Sequence, residues 1–302
     1  PGLPIHVSTQ ASAANWRTVK AWKDMGAERV VMAREVSLKE LAEIHRKVDV
    51  ELEVFGHGAM CISWSGRCLL SNFFTNGRRQ SNKGECVQVC RFKYSVVEET
   101  RPGQYWPVEE EEHGTYIFNS KDLCMIDHVK DLIEAGAASL KIEGRMKSVY
   151  YVAAVVAAYR KAIDAYYEQG ADYKPDWRWR AELEKVSHRP YTTAFAFQNP
   201  DYTAQEYEKS QPVQSYDFVG LVQPGQGESG RVTVQQRNHF TTGETLECLT
   251  PAGDVFNITV GRLFNQEGEE VDKAPHPLEI LTMETEQNLP DYTILRRPNH
   301  NG

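Results

Sequence analysis

The chain has 302 residues, of which 41% are hydrophobic and 25% are charged, and its 34 basic and 42 acidic residues give a net charge of −8. These values exclude a disordered or collagen-like chain. The absence of any run of 18 apolar residues excludes a transmembrane helix. The net charge by itself argues against a nucleic-acid-binding protein. Because no signal-peptide pattern is present, we expect a cytoplasmic protein of about two domains with no membrane contact.

Residues 1–60 alternate between predicted strands and predicted helices, which is typical of a parallel sheet or barrel. Strands are predicted at residues 5–9, 29–33 and 51–55. Apolar residues at helical spacing predict a helix over residues 15–25. A second helix is predicted over residues 38–46, and it opens with a capping box formed by Ser37 and Glu40.

Regular patterns resume at Ser120, the candidate N-cap of a helix predicted to end near residue 134. A fourth strand is predicted at residues 139–142, and a long packed helix at residues 148–168. From about residue 216 the pattern is all-β, with strands predicted at residues 218–222, 231–235, 245–249 and 255–263. These short alternating runs predict a small barrel of five or six strands.

Four of the six cysteines lie in the irregular stretch after the third predicted strand: Cys61, Cys68, Cys86 and Cys90. Structural zinc sites usually contain a Cys-x2-Cys pair, which is missing here. Four thiolates on irregular connections also suit a cubane iron–sulfur cluster. The spacing therefore leaves open a cluster, a zinc site, and unligated or disulfide-bonded cysteines. Cys124 and Cys248 lie in apolar patterns typical of small core residues.

The residues around these cysteines form an extended motif. Residues 53–71 read Glu-x-Phe-x-x-Gly-Ala-Met-Cys-x4-Gly-x-Cys-x-Leu-Ser. This pattern resembles the signature of peptidase family U32, the collagenase-like peptidases. Further matches lie at residues 84–91, 118–123 and 141–145. The resemblance covers residues 5–170, and the β-rich tail is similar to the C-terminal barrel of many family members.

The resemblance implies an α/β fold similar to a (β/α)8 TIM-like barrel. The four predicted strands would be its last four, so we expect the N-terminal half of the barrel to be missing from this chain. The implied domains are a partial barrel over residues 1–170 with a cysteine-rich insertion at 56–120, a connector over 171–210, and a small β-barrel over 211–302.

The resemblance also implies a function. The better-understood family members resemble hydroxylating factors that act on tRNA, ribosomal RNA or quinone precursors. The similarity is greatest to the group that converts the wobble uridine of tRNA to 5-hydroxyuridine. This group implies tRNA and prephenate as partners, and a [4Fe–4S] cluster as cofactor. The cluster ligands would be Cys61, Cys68, Cys86 and Cys90, with Cys124 as the alternative fourth ligand.

Two functions of other classes remain as alternatives. A peptidase needs a nucleophile with a base, or a metal-bound water. The sequence contains neither Gly-x-Ser-x-Gly nor His-Glu-x-x-His, although Cys61 and His57 could form a pair. The other alternative is a non-catalytic RNA-binding scaffold that contains structural zinc.

Functional groups of such barrels lie at the C-terminal ends of the strands. The catalytic candidates at these ends are Arg34, Glu53, His57, Glu143 and Arg145, and Lys141 is a further candidate within the fourth strand. Two arginines that face one pocket would suit a dicarboxylate such as prephenate, because guanidinium pairs with carboxylate bidentately. The structural alternative is an ion-pair network of Lys141, Glu143 and Arg145. The separate structural alternative for Glu53 is a carboxylate bonded to loop amides, and for His57 it is a turn residue.

Residues 67–101 concentrate positive charge, with seven bases against three acids, and phenylalanines lie between them. RNA binding needs local positive charge together with stacking groups. The predicted RNA contacts are Arg78, Arg79, Lys83, Arg91 and Lys93. The alternative is a solvated loop above packed aromatic residues. The acidity lies elsewhere, because residues 211–302 contain 6 bases and 13 acids.

Overall fold

A computed structural model of the chain describes residues 2–61, 63–92, 95–97, 99–100, 102–103, 105–107, 120–198, 212–225 and 230–299. These residues contain six α-helices: α1 (Trp16–Asp24), α2 (Leu38–Lys47), α3 (Leu70–Phe74), α4 (Val129–Glu134), α5 (Val149–Gln169) and α6 (Trp177–Leu183). None of the described helices combines the length and the apolar character needed to cross a membrane.

The strands fall into two groups along the chain. The first group is β1 (Ile5–Val7), β2 (Ala27–Val31), β3 (Glu51–Ala59), β4 (Ser95–Val97), β5 (Tyr105–Pro107), β6 (Asp122–Cys124), β7 (Ala137–Ile142) and β8 (Tyr191–Thr192). The second group is β9 (Tyr216–Val222), β10 (Arg231–Gln236), β11 (Phe240–Thr241), β12 (Thr245–Leu249), β13 (Val255–Thr259), β14 (Leu263–Phe264), β15 (Glu270–Val271), β16 (Lys273–Ala274), β17 (Ile280–Glu284) and β18 (Ile294–Pro298).

Packing divides the chain into two units. The first unit comprises Pro1–Glu143 and His188–Pro212, and the second comprises Gly144–Ser187 and Val213–Gly302. Helix α5 therefore belongs with the C-terminal strands, whereas the sequence suggests a boundary near residue 170. The helix α6 and the strand β8 both lie in the stretch that the sequence suggests is a connector.

The first unit is built on a mixed sheet. Strands β1, β2, β3 and β7 run parallel in that order, which confirms the four predicted strands. Strand β6 pairs antiparallel with the end of β3, and β8 pairs parallel with β6. The sheet is open, and the described residues form no closed barrel. Its assignment as half of a TIM-like barrel stays a prediction.

Local side-chain caps explain why the first two helices begin where they do. Asn15 Oδ1 accepts hydrogen bonds from the backbone N–H groups of Arg17 and Thr18, each at 3.1 Å. The predicted capping box is confirmed, because Ser37 Oγ accepts from Glu40 N and Glu40 Oε2 accepts from Ser37 N. The two helices bury Val19, Leu41 and Ile44 in the same core as Val30 and Leu52 of the sheet.

The prediction of a helix that starts at Ser120 is wrong for the first half of that segment. Residues Asp122, Leu123 and Cys124 form strand β6, and α4 begins only at Val129. All three β6 residues are buried, because they pair with His57, Gly58 and Ala59 of β3. Periodicity cannot distinguish a short buried strand from a helical turn, since both read as an apolar run.

The second unit contains α5, α6 and an antiparallel sheet of eight strands in the order β13-β12-β18-β9-β10-β17-β14-β15. The predicted small barrel of five or six strands is wrong in this respect, because the described strands do not close into a barrel. The predicted strand at residues 255–263 is divided into β13 and β14. The first pairs with β12 and the second with β17, so the chain changes partners between them.

Candidate functional site

The carboxyl ends of the parallel strands hold the loop that contains the first two cysteines, residues 61–68, here called the cysteine loop. Ser65, which is 3% exposed, donates its backbone N–H to Glu35 Oε1 at 2.8 Å. Its hydroxyl oxygen accepts the backbone N–H of Arg34 at 3.2 Å. The loop is therefore bonded in both directions to the residues that follow β2.

Gly66 fixes the same loop to the end of β1. Its φ is +77°, and a Cβ at this position would lie 2.3 Å from the backbone oxygen of Gln10. Only glycine allows this approach in a left-handed conformation. Neither Ser65 nor Glu35 is predicted from the sequence to anchor a loop. The fixed glycine of the motif was the one signal of a close backbone contact.

Arg34 lies at the centre of this region. Its guanidinium carbon is 3.7 Å from the centroid of the Phe55 ring, and its Nη2 is 3.9 Å from Glu143 Oε2. Burial lowers the pKa of the guanidinium, while the charges of Cys61 and Glu143 act to raise it. The structure thus brings two predicted site residues, Arg34 and Glu143, together beside the cysteine loop.

Glu53 and Lys141 form a separate pair on the face of the sheet. Lys141 Nζ is 3.0 Å from Glu53 Oε1, and Ser139 Oγ donates to Glu53 Oε2 at 3.1 Å. Arg29 Nη1 lies 3.5 Å from the same Oε2. Burial acts to raise the pKa of Glu53, but the hydrogen bond and charge of Lys141 outweigh it and lower that pKa. These are the contacts of a structural carboxylate, and a catalytic role for Glu53 stays a prediction.

His57 lies inside strand β3 and not in a turn. The side chain is buried, and its ring is 5.3 Å from the ring of Tyr191, which also stacks on His188 at 4.4 Å. Gly58 allows the end of β7 to approach, because a Cβ there would lie 2.2 Å from the Glu143 backbone oxygen. His57 belongs to the strand because it pairs with Cys124 of β6 on one side and with Ile142 of β7 on the other. Arg145, the remaining catalytic candidate, is exposed in the second unit.

The six cysteines are all described, and they are thiols rather than disulfides. Cys61 lies at the surface, but the atoms packed around its sulfur raise the pKa of its thiol. Negative charge on Cys68 or Cys86 acts in the same direction on this pKa. Cys90 lies in the short 3-10 turn Val89–Arg91. Within the described residues, no three His, Cys, Asp or Glu side chains are grouped closely enough to hold a metal ion.

The other two cysteines are core residues, as predicted. Cys124 is 2% exposed and lies in β6, opposite His57, and not in a helix. Cys248 is fully buried in β12, and burial together with the charge of Glu247 raises the pKa of its thiol to about 12. The alternative assignment of Cys124 as fourth cluster ligand stays a prediction.

The segment after the cysteine loop exposes basic and aromatic side chains together. Arg78, Arg79 and Lys83 are exposed. The aromatic side chains are exposed too, with fractions of 75% for Phe73 and 59% for Phe92. The alternative of aromatic residues packed beneath a loop is therefore wrong for these phenylalanines. The Arg91 side chain and the whole of Lys93 lie outside the described residues.

Comparison with known proteins gives matches along nearly the whole chain. The sequence profile of "Peptidase family U32" matches residues 1–206, and that of "Peptidase family U32 C-terminal domain" matches residues 214–296. The chain is 41% identical to tRNA hydroxylation protein P1 of Bacillus subtilis (strain 168), over 98% of this chain and 70% of the relative.

Two further relatives have names that refer to RNA. The chain is 38% identical to tRNA hydroxylation protein P of Escherichia coli (strain K12), over 98% of this chain and 73% of the relative. It is also 34% identical to the 23S rRNA 5-hydroxycytidine C2501 synthase of the same organism, over 87% of this chain and 37% of the relative.

Proposed function

Because the chain belongs to peptidase family U32, we propose that it is a tRNA-modifying enzyme that hydroxylates the wobble uridine to 5-hydroxyuridine. Two of its relatives are named as tRNA hydroxylation proteins, and a third is named for making 5-hydroxycytidine in ribosomal RNA. All three names refer to hydroxylated RNA. The observation that carries the proposal is the exposed basic and aromatic surface beside the cysteine loop.

That surface has the chemistry of an RNA contact. Arg78, Arg79 and Lys83 would bind phosphates, since lysine and arginine neutralise the backbone. Phe73 and Phe92 would stack on unpaired bases, because an aromatic ring can stack on any of the four bases. Arg91 and Lys93 complete the predicted set. Both rings are more than half exposed, so each has apolar area that a base could cover.

We also propose that Cys61, Cys68, Cys86 and Cys90 would hold the [4Fe–4S] cluster. The donor chemistry fits, because these are thiols on irregular chain segments, and iron–sulfur clusters are held by cysteine thiolates. Such a cluster supplies electron-transfer chemistry when bound. The raised pKa of Cys61 favours the neutral thiol in the protein alone, so iron binding would have to displace its proton. Arg34 would offset part of the negative charge of the thiolates.

Prephenate would enter as a dicarboxylate co-substrate that pairs with Arg34. The Arg34–Glu143 separation of 3.9 Å is longer than a hydrogen bond, so the guanidinium has donors to offer a carboxylate. The ring of Phe55 holds the guanidinium plane from one side. The remaining catalytic candidates are Glu53, His57, Lys141 and Arg145.

A complementation experiment tests the proposal. In a strain that lacks the gene, we expect tRNA without 5-hydroxyuridine by mass spectrometry, and we expect the wild-type chain to restore it. The double variant Arg78→Glu/Arg79→Glu should restore at least about tenfold less 5-hydroxyuridine than the wild-type chain, because the reversed charges repel the phosphates of the tRNA. The matched control is Arg160→Glu/Arg178→Glu, which reverses two exposed arginines of the second unit.

The outcomes separate the proposed function from its alternatives. Unchanged 5-hydroxyuridine after gene deletion would contradict tRNA hydroxylation. After anaerobic purification we expect brown protein with equal amounts of iron and sulfide, whereas colourless protein with zinc would favour the scaffold. Gelatin cleavage that persists in Cys61→Ala/Cys68→Ala would favour the peptidase.

A further inference from the structure

The turn of the cysteine loop displays a large aromatic side chain. Trp64 lies between Cys61 and Cys68 in the sequence and is 53% exposed. Its backbone oxygen accepts the N–H of Arg67 at 3.0 Å, which closes a tight turn. About half of the indole is therefore available for contact with a partner.

The turn that displays Trp64 is rigidly held. The next residue, Ser65, is buried and is bonded to both Arg34 and Glu35. The residue after that, Gly66, packs directly on the backbone of Gln10. A side chain whose backbone is already fixed loses little conformational entropy on binding. This is the property of a good recognition residue.

Basic residues lie near Trp64 along the chain. Arg67 follows in the same turn and is exposed, and Arg34, whose backbone N–H bonds to the Ser65 hydroxyl, lies close to Glu143. The exposed cations Arg78 and Arg79 lie in the segment that follows. A second copy of this chain would bring the same cations face to face, whereas a nucleic acid would neutralise them.

We propose that Trp64 stacks on an unpaired base of the RNA substrate and so positions that nucleotide beside Cys61 and Cys68. The inference rests on the proposed function, and it assigns Trp64 as a positioning residue. Enzymes that modify a base take it out of its stack and hold it against aromatic side chains. The anchored turn provides such a platform next to the cysteines.

Direct RNA binding tests the inference independently of hydroxylation. The affinity of the full chain for a labelled RNA stem-loop, and for a duplex without unpaired bases, is measured by fluorescence anisotropy. We expect Trp64→Ala to weaken stem-loop binding about 5- to 100-fold, since one stacked base contributes this much. Trp64→Phe should retain most of the affinity, and duplex binding should be unchanged. The matched control is Trp177→Ala, because Trp177 is 75% exposed on α6 of the second unit.

A second readout separates stacking from a structural role. RNA should quench part of the wild-type tryptophan fluorescence, and this part should be absent in Trp64→Phe although that variant still binds. Equal stem-loop affinity of Trp64→Ala and wild type would overturn the inference and leave the proposed function intact. Equal weakening of stem-loop and duplex binding, or loss of self-association with unchanged RNA affinity, would also overturn it. Failure of the wild type to bind either RNA would overturn both proposals.

Discussion

Glu53 shows how much the role of a single residue depends on its partners. The sequence places it at a strand end, where a general base is expected. The structure surrounds its carboxylate with Lys141, Ser139 and Arg29. Lys141 is 88 residues away in the sequence, so no local pattern reveals the pair. The sequence can therefore identify a candidate residue, but it cannot predict the contacts of that residue or the pKa that they produce.

The substitution Glu53→Gln should make the chain less stable in a pH-dependent way. The pKa of Glu53 is lowered on folding, so its stabilising effect is fully present above about pH 4.3, the ordinary value of a glutamate. It is lost as the pH falls through the lower folded value. At pH 7 we expect a loss of about 1–3 kcal/mol in the free energy of unfolding, because a hydrogen bond to a charged group is removed.

Urea denaturation from pH 7 to pH 3 measures this difference. The difference in the free energy of unfolding between wild type and variant should become smaller below about pH 4.3. The control Glu168→Gln changes an exposed carboxylate on α5 and should leave the curve of the wild type nearly unchanged. A gap that is the same at every pH would show that the charge of Glu53 contributes nothing.

At the scale of elements, local signals are predictable and distant pairings are not. The capping box of α2 lies within four residues, and the structure confirms it. Strand β6 has three residues and exists because it pairs with β3, more than sixty positions earlier. The anchoring of the cysteine loop is also a distant pairing, since Ser65 bonds to Glu35, which lies thirty residues away.

The close contact of Gly66 predicts that Gly66→Ala is more damaging than an ordinary glycine substitution. An alanine Cβ would meet the Gln10 backbone oxygen at 2.3 Å, and rotation of a methyl group cannot relieve this overlap. The matched control is Gly77→Ala, where φ is +80° and no atom lies within 4 Å. The free energy of unfolding of this control should fall by about 1–2 kcal/mol, because alanine is strained in the left-handed conformation. Gly66→Ala should lose about 1–3 kcal/mol more through overpacking.

Urea denaturation of both variants gives the two losses. Displacement of the loop should also make Cys61 and Cys68 react faster with a thiol reagent in Gly66→Ala, while Gly77→Ala reacts like the wild type. Equal losses and equal thiol reactivity in the two variants would contradict the close contact.

At the scale of the whole molecule, a group of charges around one buried arginine holds the second unit together. Arg296 of β18 is fully buried, and its Nη2 lies 2.6 Å from both Glu182 and Glu247. Lys185 contacts the same two carboxylates, at 2.6 and 2.8 Å. Burial alone would lower the pKa of Arg296, but Tyr150 and the two carboxylates raise it, so the cation is retained. This group joins α5 and α6 to the sheet.

Removal of the central cation should therefore destabilise the second unit strongly. We expect Arg296→Met to lower the free energy of unfolding by about 3–5 kcal/mol, because two carboxylates that are only 20% and 17% exposed lose their main partner. Arg160→Met is the control, since Arg160 pairs with Asp164 on the surface of α5 and should change stability little. Chemical denaturation followed by circular dichroism measures both. Similar small losses in the two variants would show that Lys185 alone neutralises Glu182 and Glu247.

The division of charge was predictable from the sequence, but the arrangement of the chain into units was not. Counting residues places the basic cluster beside the cysteines and the acids in the tail. The grouping of α5 with the C-terminal strands rests on contacts between distant residues, such as Arg296 with the Tyr150 hydroxyl and Lys161 with the Gly253 backbone oxygen. Closure of a sheet likewise depends on pairings between distant strands, which no local pattern specifies.

The reciprocal bonds of Ser65 have a consequence for how this chain can vary through evolution. Loss of the Ser65 hydroxyl would leave the Arg34 N–H unbonded, and loss of the Glu35 carboxylate would do the same to the Ser65 N–H. A buried group without a partner costs about 1–3 kcal/mol, so either change alone is selected against. Positions 35 and 65 are therefore expected to be inherited as a pair among proteins that keep this loop, although thirty residues separate them.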